Sequence, residues 1–145
     1  MTFCTKNSRV LPESVRSIVL AHCLHDHGRT VHVHGVVVMP DHVHMVLTPL
    51  MNDRGEPFRL TQILSAIKGA SAHSINRMLR RKGVVWQDES FDHILSTEES
   101  AESKVQYICQ NPVRRGITKA EDDYPWLWRD WIEGKTSAAG GRPTL

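Results

Sequence analysis

The sequence predicts a single α+β domain built around an antiparallel β-sheet, and three observations support this. The chain has 145 residues, 40% of them hydrophobic, which suits one compact domain with a continuous core. Two β-branched runs, residues 31–39 and 42–48, flank the pair Pro40-Asp41, which indicates a β-hairpin. The predicted order of elements is strand, helix, hairpin, helix, strand, helix, and this order favours a sheet with helices packed on it.

The first helix precedes the hairpin. The stub "TFCT" near the N-terminus predicts a short strand, and the stretch "LPESVRSIVLAHCLHDHG" follows it. In this stretch Val15, Ile18 and Val19 recur at helical spacing, with Pro12 near the start and Gly28 beyond the end. These signals predict a helix.

A second, longer helix is predicted over residues 60–82. Its apolar positions lie on or near one stripe, with a possible interruption near Gly69 and with Gly83 as a C-terminal cap. "VVWQ" then resumes an extended pattern, and "DESFDHIL" is predicted to be a loop leading into a short strand or turn.

A third helix is predicted from the capping-box pair Ser96 and Glu99 to Asn111, because Pro112 restricts the residue before it. From Tyr124 onward, "YPWLWRDW" is expected to pack back on the domain. The small and polar residues that follow predict one domain over 1–132 and a flexible C-terminal tail over 133–145.

Composition limits the classes of protein. The three cysteines include no CxxC pair, which fits reduced thiols in a cytosol better than a disulfide framework or a structural zinc site. No apolar stretch approaches the roughly 20 residues needed to span a bilayer, so we expect a soluble, cytoplasmic protein without a membrane partner. The net charge is only +2, so a polyanionic partner has to be argued from where the charges lie.

The basic residues are concentrated in two places. Between Arg59 and Lys82 the chain carries no carboxylate, and a basic pair follows Asn111. The candidates for contacts with the phosphates of a polyanionic partner are Lys68, Arg77, Arg80, Arg81, Arg114 and Arg115. The alternative interpretation of the first group is an ordinary solvated helix flank.

The tripeptide His-Val-His occurs twice, once in each hairpin strand. Residues i and i+2 of a strand point to the same face, so either His32 with His34 or His42 with His44 can converge on one small ion. With a two-residue turn at Pro40-Asp41 the two pairs lie on opposite faces of the hairpin, whereas a three-residue turn places all four imidazoles on one face. The alternation of side chains along the strands therefore does not decide which of the two pairs binds an ion.

A possible nucleophile lies on the third helix. Tyr107 and Asn111 are four residues apart and face the same way. Beside a strand bearing two histidines, they would supply a nucleophile and a third metal ligand. The alternative is a partly buried tyrosine and an asparagine that caps the helix before proline.

Four stretches, "VVVMPDHVHMVL", "QILSAIKGASAHSINR", "VVWQDESFDHIL" and "YICQNPVRRGI", resemble in order and spacing the single-tyrosine HUH transposases of insertion sequences, particularly the REP-associated tyrosine transposases. The resemblance covers about residues 10–128. It implies a ferredoxin-like antiparallel sheet of the HUH nuclease type. It also implies cleavage and rejoining of single-stranded or hairpin DNA through a 5′-phosphotyrosine, in a nucleoid-associated protein that is a monomer or a homodimer.

The resemblance also implies roles for individual residues. His42 and His44 match the metal-binding pair, Tyr107 the nucleophile, and Asn111 the polar residue that completes the metal shell. The expected metal is Mg²⁺ or Mn²⁺. The first His-Val-His copy falls outside the motif, which predicts that it consists of plain strand residues. Asp41 stands where the family frequently has Asn, and the strand "MTFCT" is shorter than the family's usual first strand.

Other functions compete with this one. "HVHMVLTP" resembles the motif of histidine-triad nucleotide hydrolases up to its third histidine, where this chain has Val46. A domesticated DNA-binding protein of the same fold that no longer cleaves, and a plain metal-binding domain, are the remaining alternatives.

Overall fold

The computed structural model describes residues 1–95 and 100–130. Within these ranges the chain forms five strands and four α-helices, together with two short 3₁₀ turns. In chain order they are β1 (Thr2–Thr5), α1 (Glu13–Leu24), β2 (Val31–Val38), β3 (His42–Pro49), α2 (Leu60–Leu79), β4 (Trp86–Phe91), α3 (Ala101–Cys109), α4 (Asn111–Arg114) and β5 (Leu127–Arg129).

The five strands form one sheet in the order β4-β1-β3-β2-β5, and every neighbouring pair is antiparallel. The first four strands with α1 and α2 follow the β-α-β-β-α-β order of the ferredoxin-like fold. The predicted α+β class is therefore confirmed. The stub "TFCT" is an inner strand of this sheet, because β1 pairs with β3 on one side and with β4 on the other.

Helices cover both faces of the sheet. One face buries Phe3, Val33 and Met45 in a core shared with α1 and α2. The opposite face buries Val37 in a smaller core shared with Val105 of α3. Side chains of a strand alternate between these two cores, so each hairpin residue belongs to one face or the other.

The hairpin has a two-residue turn at Pro40-Asp41, one of the two lengths that the sequence allows. The Met39 N–H donates to the His42 carbonyl at 2.7 Å, and Val37 pairs with His44. The pairing near the turn is therefore as predicted, and it directs His42 and His44 toward the face that α3 covers.

A β-bulge farther along the hairpin changes the placement of the two His-Val-His copies that a two-residue turn alone would give, which is on opposite faces. Leu47 pairs with Val33 and the adjacent Val46 pairs with Gly35, so His34 is an extra residue in β2. One extra residue reverses the alternation of side chains. Both copies consequently lie on the face covered by α3. Without the bulge, a two-residue turn would have placed them on opposite faces.

Several predicted boundaries move. Helix α2 runs without interruption through Gly69 and ends at Leu79. Its C-cap is Arg80, in the left-handed conformation, and not Gly83. The stretch predicted as a loop after "VVWQ" continues β4 as far as Phe91, because it pairs with β1 along the edge of the sheet.

The third predicted helix is divided in two. The predicted N-cap at Ser96 lies outside the described residues, and α3 begins at Ala101, where the Ser100 hydroxyl accepts from the Ser103 N–H at 3.0 Å. Asn111 does not end the helix, as predicted from Pro112, but begins the short helix α4. A proline in the first helical turn is tolerated because its missing N–H has no intrahelical partner there.

The aromatic stretch after Tyr124 packs back on the domain, as expected, and part of it also forms β5, which the sequence did not predict. The buried Tyr124 hydroxyl donates to the Val38 carbonyl, and β5 pairs with β2 from Gly35 to Val37. No helix in the described part of the chain is long and apolar enough to cross a membrane. The predicted tail, 133–145, lies outside the described residues, so the proposed domain boundary remains a proposal.

Candidate active site

Two imidazoles of β3 converge beside α3. The Nε2 atoms of His42 and His44 are 3.1 Å apart, and the two ring planes are nearly perpendicular. His42 is buried and His44 is partly buried. Two ligand nitrogens that each lie about 2.1 Å from one ion at right angles are separated by about 3 Å, so the spacing fits a pair of ligands to a single metal ion.

The other nitrogen of each ring is held by a neighbouring side chain. His42 Nδ1 is 2.6 Å from Asp41 Oδ1, and His44 Nδ1 is 2.8 Å from Thr2 Oγ1. A ring that donates its Nδ1–H to such a partner leaves the Nε2 lone pair available for a metal. Both partners therefore orient the pair toward the same point.

Sequence reasoning missed Thr2 as a functional candidate. Its position follows from the register between β1 and β3, in which Thr2 lies opposite His44. The sequence did not show which strand lies beside β3. Once β1 is known to be that strand, a polar residue opposite a His-x-His pair is the signal that identifies Thr2.

Asn111 comes from the start of α4. Its side chain is buried, and its amide nitrogen is 3.4 Å from His42 Nε2. A half-turn of the amide exchanges its oxygen and nitrogen, which would present the oxygen at the same point. The structure thus brings together the three side chains expected to bind metal.

Tyr107 and His44 line the same pocket, which has a volume of about 270 Å³. The tyrosine side chain is exposed, with 59% of its surface accessible. The Arg114 guanidinium lies 4.3 Å from the centre of the tyrosine ring, and Lys104 Nζ lies 5.0 Å from it. An accessible phenol with two cations close to its ring is well placed to meet a phosphate group.

Burial and charge keep His44 neutral. Burial is the largest of the causes that together lower the pKa of His44 to about 4, and it is followed by the positive charges of His42, the N-terminal ammonium, Arg114 and Arg115. A neutral imidazole is the form that binds metal. The same positive charges favour an anionic ligand in this pocket.

The predicted phosphate-binding residues divide between two regions. Arg114 and Arg115 follow Asn111 and lie close enough to act on the pKa of His44. Lys68 instead donates to the carbonyls of Gln87 and Asp88 on β4 at 2.6 and 3.3 Å, and burial lowers its pKa.

The remaining predicted basic residues belong to the last turn of α2 or directly follow it, and α2 packs on the opposite face of the sheet. These residues are Arg77, Arg80 and Arg81. Their role in DNA binding stays a prediction, and the structure does not bring them to the pocket of Tyr107.

The first His-Val-His copy has partners of its own. His32 Nε2 lies 2.8 Å from Asp130 Oδ2, and His34 Nε2 lies 2.8 Å from Thr48 Oγ1. In the described part of the chain, potential ligand atoms of His32, His34 and Asp130 all lie within 4.8 Å of one another. This group is separate from the pair formed by His42 and His44.

The fold and the site together have the arrangement expected of a single-tyrosine transposase. The sequence profile of the family described as "Transposase IS200 like" matches residues 2–111. This is well over half of the chain, and the protein belongs to the IS200-like transposase family. The matched residues include both members of the imidazole pair as well as Tyr107 and Asn111.

Two relatives agree with this assignment. A Haemophilus influenzae protein that carries the name of a REP-associated tyrosine transposase is 24% identical over 96 residues, which are 63% of this chain and 54% of that protein. The chain thus spans about half the length of this relative. A solved structure of a REP-associated tyrosine transposase bound to a REP hairpin matches with a TM-score of 0.68 and 22% identity, covering 87% of this chain and 72% of that one. This second match supports the fold.

Proposed function

We propose that this protein is a metal-dependent transposase that cleaves and rejoins single-stranded DNA through a phosphotyrosine formed on Tyr107. The observation that carries the proposal is the convergence of two oriented imidazoles, with Nε2 atoms 3.1 Å apart, in the region where the exposed phenol lines the same pocket as His44. Membership of the IS200-like transposase family supports the same conclusion.

The residues present fit a divalent metal ion. His42 and His44 would supply two nitrogens and Asn111 an amide oxygen. This set suits Mn²⁺ on ligand preference, and the family resemblance adds Mg²⁺. When bound, the ion would neutralise charge on a phosphodiester and polarise its phosphorus. Asp41 and Thr2 would fix the two rings so that both Nε2 atoms remain available.

Tyr107 would act as the nucleophile. Its phenol oxygen forms a bond to phosphorus while the bond from phosphorus to the 3′ oxygen breaks, and the released oxygen takes up a proton as a 3′-hydroxyl. The phosphodiester energy is retained in the phosphotyrosine, so attack by a 3′-hydroxyl can rejoin the strand without ATP. Arg114 and Lys104, which both lie close to the ring, would pair with phosphate oxygens and hold the strand in position.

We infer that the DNA is single-stranded or forms a hairpin. The relative whose fold matches is bound to a REP hairpin, and the cations near Tyr107 in this chain are compatible with a polyanion. Arg114 and Arg115 are the strongest candidates for phosphate contacts, because they lie near the pocket and are exposed.

The test is the formation of a covalent adduct. The purified protein is incubated with 3′-end-labelled single-stranded hairpin DNA and Mn²⁺, and the label is followed on a denaturing gel. A 5′-phosphotyrosine makes the label migrate with the protein, and Tyr107→Phe or removal of the metal with a chelator should abolish this signal.

The chain offers a matched control, because Tyr124 is its only other tyrosine. Tyr124→Phe, assayed at a temperature at which it is folded, should still form the adduct, since this hydroxyl is buried against Val38. An adduct that persists in Tyr107→Phe would contradict the proposal. Salt-sensitive DNA binding without any adduct would instead support the domesticated, non-cleaving alternative.

A further inference from the structure

We propose that His32, His34 and Asp130 form a second metal site, distinct from the one at His42 and His44, that binds a transition metal of the zinc class and fastens β5 to β2. Their potential ligand atoms lie within 4.8 Å of one another, and all three side chains are partly buried. This inference does not depend on the proposed nuclease activity.

The fold builds the cluster from two adjacent strands. His32 and His34 extend from β2 toward the same face, with ring centres 4.6 Å apart. Asp130 follows β5 directly, and its backbone N–H donates to the His34 carbonyl at 3.1 Å. The carboxylate oxygen then lies 2.8 Å from His32 Nε2. Backbone pairing on both strands therefore fixes the positions from which the three side chains converge.

A neighbouring histidine holds this end of β2 in place. His27 Nδ1 accepts from the Val33 N–H at 2.8 Å, and the His27 ring packs edge-on against His32 with centres 4.9 Å apart. The ring of Trp128 on β5 lies 5.4 Å from His27. The imidazoles of the cluster are thus supported by packed rings.

The donor set has the chemistry of a zinc-type site. Two imidazoles and one carboxylate are common ligands of Zn²⁺, and donors about 2.0–2.1 Å from a tetrahedral ion are roughly 3.3 Å apart. The observed separations, from 2.8 Å to at most 4.8 Å, bracket that value, so small side-chain rotations bring all three into range.

A fourth position is also provided. Thr48 Oγ1 lies 2.8 Å from His34 Nε2, so the hydroxyl can hold a water molecule that completes a tetrahedral shell. Without metal, His32 is hydrogen-bonded to Asp130 and His34 to Thr48. With metal bound, Asp130 would become a ligand and Thr48 would hold the water molecule that is a ligand.

The two sites are separated on the sheet. Gly35 lies between the two His-Val-His copies along the hairpin, and a Cβ added at Gly35 would lie 2.7 Å from a Val105 methyl. Helix α3 therefore crosses the sheet between the sites. We expect each site to bind its own ion.

The position of the cluster explains what a metal ion would do there. Strand β5 has three residues and forms the edge of the sheet, and Asp130 ends it. An ion shared by Asp130 and two residues of β2 would hold this edge strand to the sheet. Because such an ion binds the folded chain and not the unfolded one, it should raise the melting temperature.

The experiment measures zinc binding by the full-length, tag-free chain. In the variant His42→Ala/His44→Ala, which removes the first site, calorimetry and metal analysis should find one equivalent of Zn²⁺ per chain. Zn²⁺ should also raise the melting temperature of this variant by several degrees. Co²⁺ used as a probe should give the visible absorption of a tetrahedral ion.

In the same background, Asp130→Asn should remove the bound zinc and the temperature shift. This substitution keeps an oxygen that can accept from His32, so the fold should be retained, and circular dichroism checks this. His34→Gln provides a second variant with the same expected loss.

Asp26→Asn is the matched control, because Asp26 pairs with His25 at 3.0 Å but belongs to no cluster of three potential metal ligands among residues 1–95 and 100–130. It should leave zinc binding unchanged. The proposal is overturned if the His42→Ala/His44→Ala variant binds no zinc, or if folded Asp130→Asn and His34→Gln chains bind zinc as the parent does.

Discussion

The close approach of α3 to the sheet at Gly35 predicts that Gly35→Ala destabilises the protein. An added Cβ would lie 2.7 Å from Val105 Cγ1 and 3.0 Å from Cγ2, whereas carbon atoms in contact are normally about 3.5–4.0 Å apart. Val105 is fully buried, in the core between α3 and the sheet. The helix therefore has to move away from the sheet by roughly 1 Å to restore normal contact.

The magnitude follows from two opposing effects. Overpacking a buried contact costs about 1–3 kcal/mol, and the reduced flexibility of the unfolded chain returns about 0.4–1 kcal/mol. We expect a net loss of about 1–2 kcal/mol in the free energy of unfolding, measured by urea denaturation as a lower midpoint with an unchanged slope. Because α3 also carries Tyr107, the rate of adduct formation should fall by up to about 10²-fold.

Two further variants test the reasoning. Gly69→Ala, at a helix position where an added Cβ meets nothing within 4 Å, should stabilise the protein by about 0.5–1 kcal/mol. Val105→Ala removes both methyl groups that the new Cβ would strike, so Gly35→Ala in that background should cost less than it does in the native chain. If Gly35→Ala proves as stable as Gly69→Ala, or if Val105→Ala gives no relief, the proposed steric contact does not control this packing.

Three other outcomes are expected. Asp41→Ala should weaken Mn²⁺ binding at His42 about 10–100-fold, as measured by calorimetry, because the ring loses the partner of its Nδ1. Asp41→Asn keeps an acceptor oxygen, so this variant should bind Mn²⁺ nearly normally. Equal effects of the two substitutions would contradict this role of Asp41. Burial raises the pKa of Cys23 to about 12, so at pH 8 only about 10⁻⁴ of this thiol is thiolate. Mass spectrometry should therefore find Cys23 unmodified by iodoacetamide until urea unfolds the chain. Rapid labelling of Cys23 under native conditions would contradict its burial. Tyr124→Phe leaves the buried Val38 carbonyl without its donor and should cost about 1–3 kcal/mol in the free energy of unfolding, whereas an unchanged urea midpoint would show that this hydrogen bond contributes nothing.

Features set by local spacing could be predicted from the sequence. The imidazole pair depends on the two-residue repeat of a strand, and the proximity of Tyr107 to Asn111 depends on the pitch of a helix. The imidazole pair is present in the structure, and Tyr107 and Asn111 lie on the successive helices α3 and α4. The α+β class followed in the same way from the order of the elements.

Features that depend on long-range register could not be predicted. Thr2 reaches His44 only because β1 pairs with β3, and the partners are 42 positions apart in the chain. The bulge at His34 inserts one residue into β2, and the hydrophobic pattern of the sequence does not reveal it. The adjacent residue, Gly35, is of a type that often marks a bulge or a close approach of another backbone. The sequence also could not predict which face of the sheet α2 covers. The basic residues of α2 therefore could not be assigned to the face with Tyr107 or to the opposite face.

The position of β1 inside the sheet, between β4 and β3, has a practical consequence for work on this protein. Residues 2–5 join β4 to the hairpin strands and provide the hydroxyl behind His44. Trimming these residues would cut the sheet in two and release one of the rings, so deletion series meant to find a minimal catalytic fragment should start from the opposite end of the chain.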